Sequence, residues 1–389
     1  MKELDVIVIG AGMGGLALGL ALQRAGIPAQ IYEQAPELSE VGAGIMLTPN
    51  ACRALMALDV FDPVDAKAQR PGATHYRDYR TGEIISTVAY DEEFQRRYRG
   101  PYLTIHRADL QDALKEALLA RAPGILHLNH MLVDVEQHDG KVSAVFANGA
   151  RVTGDLLVGA DGIKSLVREK VFGWKAANFS GHVAYRGMVP IDRLGPEYRT
   201  ADTSTTLGPG QHWVMYTVKK GAFLNYVAIP ESGSWTAEGW SVPATKDELL
   251  HEFRDWHPRY HELVEQTPHD RIFKWGLFDR DPLPAWVRGR VALLGDAAHP
   301  TTPFMAQGAA LSFEDAVVLG RALAQAARPD EALALYERAR KERGGWVQVR
   351  SRFFGQLYHK QAPADEISAE RRAANDVLYS YDAATVPLT

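Results

Sequence analysis

The chain has 389 residues, 46% of them hydrophobic and 23% charged, enough to bury a sizeable core in one large or two intimately joined domains. A formal net charge of -5 and a pI near 6.2 give no reason to expect nucleic acid or an anionic membrane as partner, and the local cluster "QRRYRG" reads as a solvated face. The single cysteine, Cys52, excludes an internal disulfide and a cysteine metal centre; no metal is expected, and a cytoplasmic enzyme fits this usage.

In chain order, Val6 to Ile9 is an apolar, β-branched run, and the helical spacing of Leu18, Ala21, Leu22 and Ala25 follows it, so strand, turn and helix are predicted in succession. Acidic Glu3 and Asp5 before this run, the glycines within it and Gln23 and Arg24 after it argue against a targeting or spanning segment. The turn between strand and helix carries Gly10, Gly12 and Gly15, for a tight bend, close approach to a pyrophosphate and helix-on-strand packing respectively. A second strand, Ala29 to Tyr32, leads to Glu33, about twenty residues beyond the glycines, where a carboxylate can accept from ribose hydroxyls. This βαβ unit expects a dinucleotide and leaves NAD and FAD both open.

A loop through "EVGAGIMLTPNA" leads to a helix near residues 50–58, with Cys52 as a small core residue. "TIHRADLQDALKEALLARA" supplies another helix, with Arg107 at its entrance. Strands are expected at about 125–129, 131–137 and 142–147, after which "DLLVGADG" returns to a doubly wound sheet. The stretch 180–280 is β-rich and punctuated by Gly and Pro, which predicts an antiparallel sheet inserted between two visits to the nucleotide-binding part. Beyond residue 305 the pattern is helical. Two later segments repeat the strand-to-turn layout of the first. "DGIKSLVR" sets Asp161 and Gly162 at a strand end, with Ser165 and Arg168 in the helix that follows, and "VALLGDAAHP" ends a strand at Gly295 and Asp296. Three such sites on one sheet suit an extended ligand, because the carboxyl ends of the strands converge on one crevice. Pro300 and Pro303 stiffen the last loop, and a helix starting near Gln307, Gly308 and Ala309 would point unpaired N–H groups at whatever precedes it.

The ordered set of "GAGMGG", "DGIKSLVR" and "GDAAHP" resembles the class A flavoprotein monooxygenases. These are aromatic hydroxylases with the p-hydroxybenzoate hydroxylase fold, and the likeness, over nearly the whole length, is to the branch acting on salicylate, 3-hydroxybenzoate and 6-hydroxynicotinate. It implies an α/β fold: a Rossmann-like FAD-binding domain interleaved with an antiparallel β-sheet substrate domain and C-terminal helices. The first part of the FAD-binding domain would span 1–178, with substrate-side segments near 70–100, the β-rich substrate domain 179–280, and the second FAD-binding part with the helices 281–389. FAD is the implied cofactor. Gly10, Gly12, Met13, Gly14, Gly15, Glu33 and Gln34 would hold its AMP half, and Gly44, Arg107 and Val133 would lie beside it. Asp161 and Gly162 would serve the middle, and Gly295, Asp296, Pro303, Gly308 and Ala309 the ribityl chain and ring. A helix end there would stabilise the reduced anion by roughly 0.3 to 1 kcal/mol. NADH, or NADPH, would act as a transient reductant with no binding motif of its own. Oxygen would form a flavin C4a-hydroperoxide whose distal oxygen goes to the ring of a small phenolic or N-heteroaromatic acid. A homodimer is compatible with the family.

Within "GQHWVMYTV", His212 and Tyr216 stand four apart on one face of a strand. His212 is the candidate base for a substrate phenol and Tyr216 a hydrogen-bond donor; the family's His-xxx-Tyr pattern supports the pair. Trp213, Met215 and Phe223 are expected with Tyr216 as pocket walls, with Met46 and Phe304 approaching from the flavin side; for any one of them core packing is the stronger reading. Arg186 is open as carboxylate clamp or structural cation, and His299 as a support for the loop. Met46 and Phe304 stand where the 6-hydroxynicotinate branch places histidines, which argues against a decarboxylating reaction. Two other readings are a flavin oxidase or dehydrogenase of an amine or alcohol, and a non-catalytic FAD-fold binding protein.

Overall fold

The computed structural model describes residues 4–38, 43–174, 177–235, 242–360 and 364–389. Residues 40–42, part of the loop expected before the second helix, lie outside the described residues. The first strand is Val6–Ile9, the first helix Met13–Arg24 and the second strand Ala29–Tyr32, as the apolar run and the helical spacing require. The strand is wholly buried, and so is the apolar stretch Gly15 to Leu22 of the helix. That helix crosses Gly308–Gln325 at small residues: a Cβ on Gly320 would stand 2.9 Å from that of Ala21. Among the described residues no helix is long and apolar enough to cross a membrane.

A six-stranded sheet has the order Val287–Arg288, Val291–Leu293, Leu156–Gly159, Val6–Ile9, Ala29–Tyr32, Leu126–His127. All its pairings are parallel except the hairpin at the Val287–Arg288 edge. Strands 291–293, 156–159 and 6–9 are therefore neighbours running the same way, and their carboxyl ends emerge side by side about 4.8 Å apart. Each of the three glycine turns sits on one of those ends. A three-stranded antiparallel sheet (Leu132–His138, Lys141–Phe146, Arg151–Gly154) flanks this layer.

The β-rich region builds most of an eight-stranded sheet: Val242–Pro243, Ile272–Asp279, Asn178–Pro190, Phe223–Pro230, Gln211–Val218, Thr203–Gly208, Ala73–Asp78 and Ile84–Ala89. One feature differs from the expected antiparallel insert: Thr203–Gly208 pairs with Ala73–Asp78 in parallel, because a segment arriving from the nucleotide-binding part can add to the edge in either direction. The last two strands come from residues 73–89, inside the substrate-side stretch near 70–100. The short helices Lys246–Glu252 and Pro258–Gln266 belong to this region, and Trp213, Phe253, Trp256 and Tyr260 share one apolar cluster with them. The helix expected around Arg168 is a π-helical turn, Arg168–Phe172, whose first N–H donates to Ser165 Oγ at 3.0 Å.

Candidate functional site

The first turn is held by backbone proximity. A Cβ on Gly15 would lie 1.9 Å from the Gly10 carbonyl oxygen, and one on Gly14 2.8 Å from the Leu294 side chain, so helix, turn and the 291–293 strand close on one another only with glycine there. Gly10 itself has φ +100, the region that favours glycine. Glu33 Oε2 accepts from Ala11 N–H at 2.8 Å and Oε1 from Ala35 N–H at 2.9 Å, which fixes the carboxylate beside the turn. Gln34 is exposed, and Val133 is 37% exposed where the pairing of its strand shifts register. No hydrogen bond or ring contact joins these two to the turn among the described residues. A Cβ on Gly12 or Gly308 would meet nothing within 4 Å. Space is thus left in front of two helices, Met13–Arg24 and Gly308–Gln325, whose first N–H groups receive no capping bond from the N-cap side chain. Two open, positively polarised helix ends flanking the row of strand ends fit a long ligand with anionic groups.

Between them stand Asp161, Gly162, Gly295 and Asp296. Asp161 Oδ2 accepts from Val167 N–H at 3.0 Å, and its Oδ1 has no hydrogen-bond partner among the described residues. Burial pushes the Asp161 and Asp296 carboxyls up. The charges of His299, Arg107 and Arg168 pull Asp296 the other way, which puts Arg107, at the start of its helix, within electrostatic reach of the 295–300 loop. Arg168 donates to Ala297 O at 3.0 Å and Ile163 O at 2.7 Å, tying the middle segment to that loop.

The loop rests on a buried polar lattice. His299 Nε2 lies 2.5 Å from Asp315 Oδ2, which also accepts from Gly295 N–H at 3.0 Å. Arg340 joins Asp315 and Glu314 at 2.7 Å each, and Asn50 bridges Glu314 to Gln307. His299 is therefore a support of the loop, as one reading of the sequence had it. Although burial opposes it, His299 and Arg340 hold the Asp315 carboxyl down at about 2. A folded-state pKa below the unfolded one contributes stability that is present above the ordinary carboxylate range and lost as pH falls towards 2. Asp315→Asn is expected to unfold more readily at neutral pH and to show a shallower loss of melting temperature in that acid window, followed by circular dichroism; equal acid slopes in both proteins would refute the assignment.

On Gln211–Val218 the period of two separates the predicted pocket residues. Trp213 and Met215 are corrected: they point away from His212 and Tyr216, into the cluster under the two short helices, where Trp213 stacks on Tyr226 with centroids 4.8 Å apart. The opposite face carries Tyr216 and Val218 with Met188, and Met46, Val214 and Phe223 pack against them. Gly44 closes on Tyr216 and Asn225, with its N–H donating to Asn225 Oδ1 at 2.8 Å, and a Cβ there would stand 2.5 Å from the Tyr216 ring. Met46 Sδ accepts from Tyr102 O–H at 3.1 Å. Phe304 lies 5.3 Å from the His212 ring centroid and 5.2 Å from that of His182. Burial pushes the Tyr216 phenol up, against the charge of Arg186, so the hydroxyl stays neutral. The Arg186 guanidinium lies 4.2 Å from the Trp275 ring centroid, which supports a structural part for it.

His212 is 1% exposed. Burial, then the neighbouring His359, His182 and Arg371, hold its imidazole well below the ordinary range, so it is neutral at neutral pH. Its Nδ1 lies 2.8 Å from His359 Nε2, and Nε2 makes no hydrogen bond among the described residues. Several residues here carry no sequence signal. His359 ends a helix of 31 residues, Pro329–His359. Arg371 lies on the last helix, over the rings of Phe354 and Tyr358 at 4.9 and 5.6 Å, donates to Tyr76 O–H at 3.3 Å, and meets no carboxylate among the described residues. His212 reaches the same Tyr358 ring, at 5.6 Å. His182, Glu231 and His359 offer donor atoms within 4.8 Å of one another, and His359 already uses both ring nitrogens in hydrogen bonds.

Comparison with known proteins fits this geometry. Residues 3–350 match the family model described as FAD binding domain. The 3-hydroxybenzoate 6-hydroxylase 1 of Aquipseudomonas alcaligenes is 38% identical over 361 residues, 92% of this chain and 91% of that one. The 6-hydroxynicotinate 3-monooxygenase of Bordetella bronchiseptica is 36% identical over 347 residues, covering 88% and 89%. The crystal structure of Klebsiella pneumoniae HpxO complexed with FAD and uric acid superposes with a TM-score of 0.84 at 27% identity, over 98% of this chain and 94% of that one. Two open helix ends, a row of three strand-end turns between them and likeness to flavin hydroxylases along nearly the full length have one common explanation: the chain belongs to the FAD binding domain family, as an FAD-dependent aromatic monooxygenase.

Proposed function

We propose that this protein hydroxylates the ring of a small phenolic or N-heteroaromatic acid, drawing electrons from NADH, or NADPH, and oxygen from O2. The observation that carries the reading is the pair His212 and Arg371, both beside the Tyr358 ring: a neutral imidazole with one ring nitrogen free of hydrogen bonds, and a guanidinium among aromatic rings with no carboxylate beside it, among the described residues. A half-buried cation lined by apolar rings is stabilised by an anionic partner, and a bidentate carboxylate suits the guanidinium fork. An aromatic acid offers both groups the site lacks, a carboxylate for Arg371 and an acidic hydroxyl for His212.

FAD, when bound, supplies the redox chemistry that activates oxygen. The chain's own residues bind, orient and move one proton. Gly10, Gly12, Met13, Gly14, Gly15, Glu33 and Gln34 hold the ADP end with Val133 at its edge, and Arg107, Asp161, Gly162, Gly295 and Asp296 hold the middle. Pro303, Gly308, Ala309 and Gly44 line the ring end. His212 Nε2 takes the phenol proton, which makes the ring electron-rich; Tyr216 donates a hydrogen bond; Met46, Phe223 and Phe304 keep water out. The test is a panel of phenolic and hydroxypyridine acids with the flavin-loaded protein, following NADH oxidation and identifying products by mass spectrometry with 18O2. One labelled oxygen in the product is expected. Flavin reduction by amines or alcohols with no labelled product would overturn the reading.

A further inference from the structure

His212, on the strand Gln211–Val218, is buried and cannot exchange its proton with water directly. A base that accepts a proton in every turnover must also release it, and among the described residues the one polar continuation from His212 is the hydrogen bond from Nδ1 to His359 Nε2 at 2.8 Å. His359 continues through Nδ1 to Glu231 Oε1 at 3.1 Å. His359 is 1% exposed on its side chain and Glu231 60%, so the second link ends in solvent. The backbone holds these elements in register: Gly210 N–H donates to His359 O at 3.0 Å, and Glu231 N–H to Gly210 O at 2.9 Å.

We propose that Glu231 and His359 form a proton relay that carries the substrate proton from His212 to solvent, a role that rests on the reading of His212 given above. The hydrogen-bond direction is set from the outside. A carboxylate only accepts, so His359 carries its proton on Nδ1 and presents a lone pair at Nε2. His212 then donates from Nδ1 and keeps its own lone pair on Nε2, the nitrogen without a partner, where a phenol O–H would donate. Transfer is balanced at each link. The phenol O–H bond breaks as His212 Nε2–H forms, His212 Nδ1–H passes to His359 Nε2, and His359 Nδ1–H passes to Glu231, which releases the proton to water. No atom is oxidised or reduced, and both imidazoles end neutral in the opposite tautomer.

The surroundings favour neutral rings. His182 from the long strand Asn178–Pro190 faces His359 at a ring separation of 5.0 Å, and Arg371 from the last helix acts on His212. Burial, then the charge of His182, hold His359 down at about 4, with Glu231 opposing. A persistent imidazolium would block the wire, and these neighbours disfavour it. His359 and Glu231 are positioning residues in this scheme, since neither touches the substrate.

The probe is 3-hydroxy-4-nitrobenzoate, a phenolic acid whose phenolate is coloured, mixed with FAD-loaded enzyme in a stopped-flow instrument without reductant, at a pH below the probe's own pKa. The wild type is expected to generate the phenolate band quickly. Glu231→Gln, at the surface where folding is not at stake, and His359→Gln are expected to slow it by about tenfold or more, below the range of removing a general base itself, with probe affinity unchanged. Imidazole in the buffer is expected to restore the Glu231→Gln rate by standing in for the carboxylate, which a purely structural role would not allow. If both variants form phenolate at the wild-type rate while His212→Asn does not, the relay is overturned and the reading of His212 stands. If His212→Asn still forms it at the wild-type rate, the reading of His212 fails and takes the relay with it.

Discussion

Replacing His212 by asparagine is expected to lower the rate of ring hydroxylation by about 10²- to 10⁴-fold, the range for loss of a positioned general base, while the purified protein keeps its flavin. His212 is on the eight-stranded sheet and not on any of the three strand-end turns, so cofactor content is the control that separates loss of chemistry from loss of assembly. Asparagine fills much of the same volume and can still donate to His359, which limits damage to the fold. The pH profile gives a second check. Because burial and three neighbours hold the imidazole well below its ordinary range, the base stays deprotonated through the neutral region and becomes protonated only in acid. The acid limb of kcat/KM is therefore expected well below pH 6.5, the unperturbed value. A limb centred on that unperturbed value, or a variant that turns over normally, would contradict the assignment.

The second large effect is on the cofactor. Gly15→Ala is expected to yield protein without a flavin spectrum and with a lowered melting temperature. The added carbon would stand 1.9 Å from the Gly10 carbonyl oxygen, and overpacking of this kind costs about 1–3 kcal/mol or more. Gly12→Ala separates the two consequences. Its Cβ meets no protein atom within 4 Å, so the apoprotein should melt as the wild type does, yet the methyl occupies the space a pyrophosphate needs. Flavin absorbance after reconstitution and calorimetry of the apoproteins distinguish the cases. Full flavin content in Gly12→Ala would show that the cofactor does not approach this turn closely.

These two sites differ in how much of them could be read from residues alone. The first turn is local: strand, glycines, helix and Glu33 lie within about thirty residues of sequence, and alternation, helical spacing and the need for absent side chains all act at short range. The strand Val6–Ile9 and the helix after it stand where the pattern put them. The pair His212 and Tyr216 was also legible as a shared face, since a period of two is a property of any strand. That same period argued that Trp213 and Met215 belong to the other face, and naming all four as one wall conflicted with it. Resolving the conflict took the short helices that cover Trp213.

What the amino-acid sequence determined by itself was thus the local grammar of each turn and strand, because bond geometry and side-chain periodicity operate over a few residues. Tertiary structure decided which turns became neighbours, through the strand order that sets 291–293, 156–159 and 6–9 side by side. It also decided which face of the large sheet meets the crevice. His359 lies 147 residues from His212, and Arg371 lies 295 from Tyr76. No spacing rule reaches across such intervals, and only the packing of the last two helices onto the sheet brings an imidazole and a guanidinium to the same base.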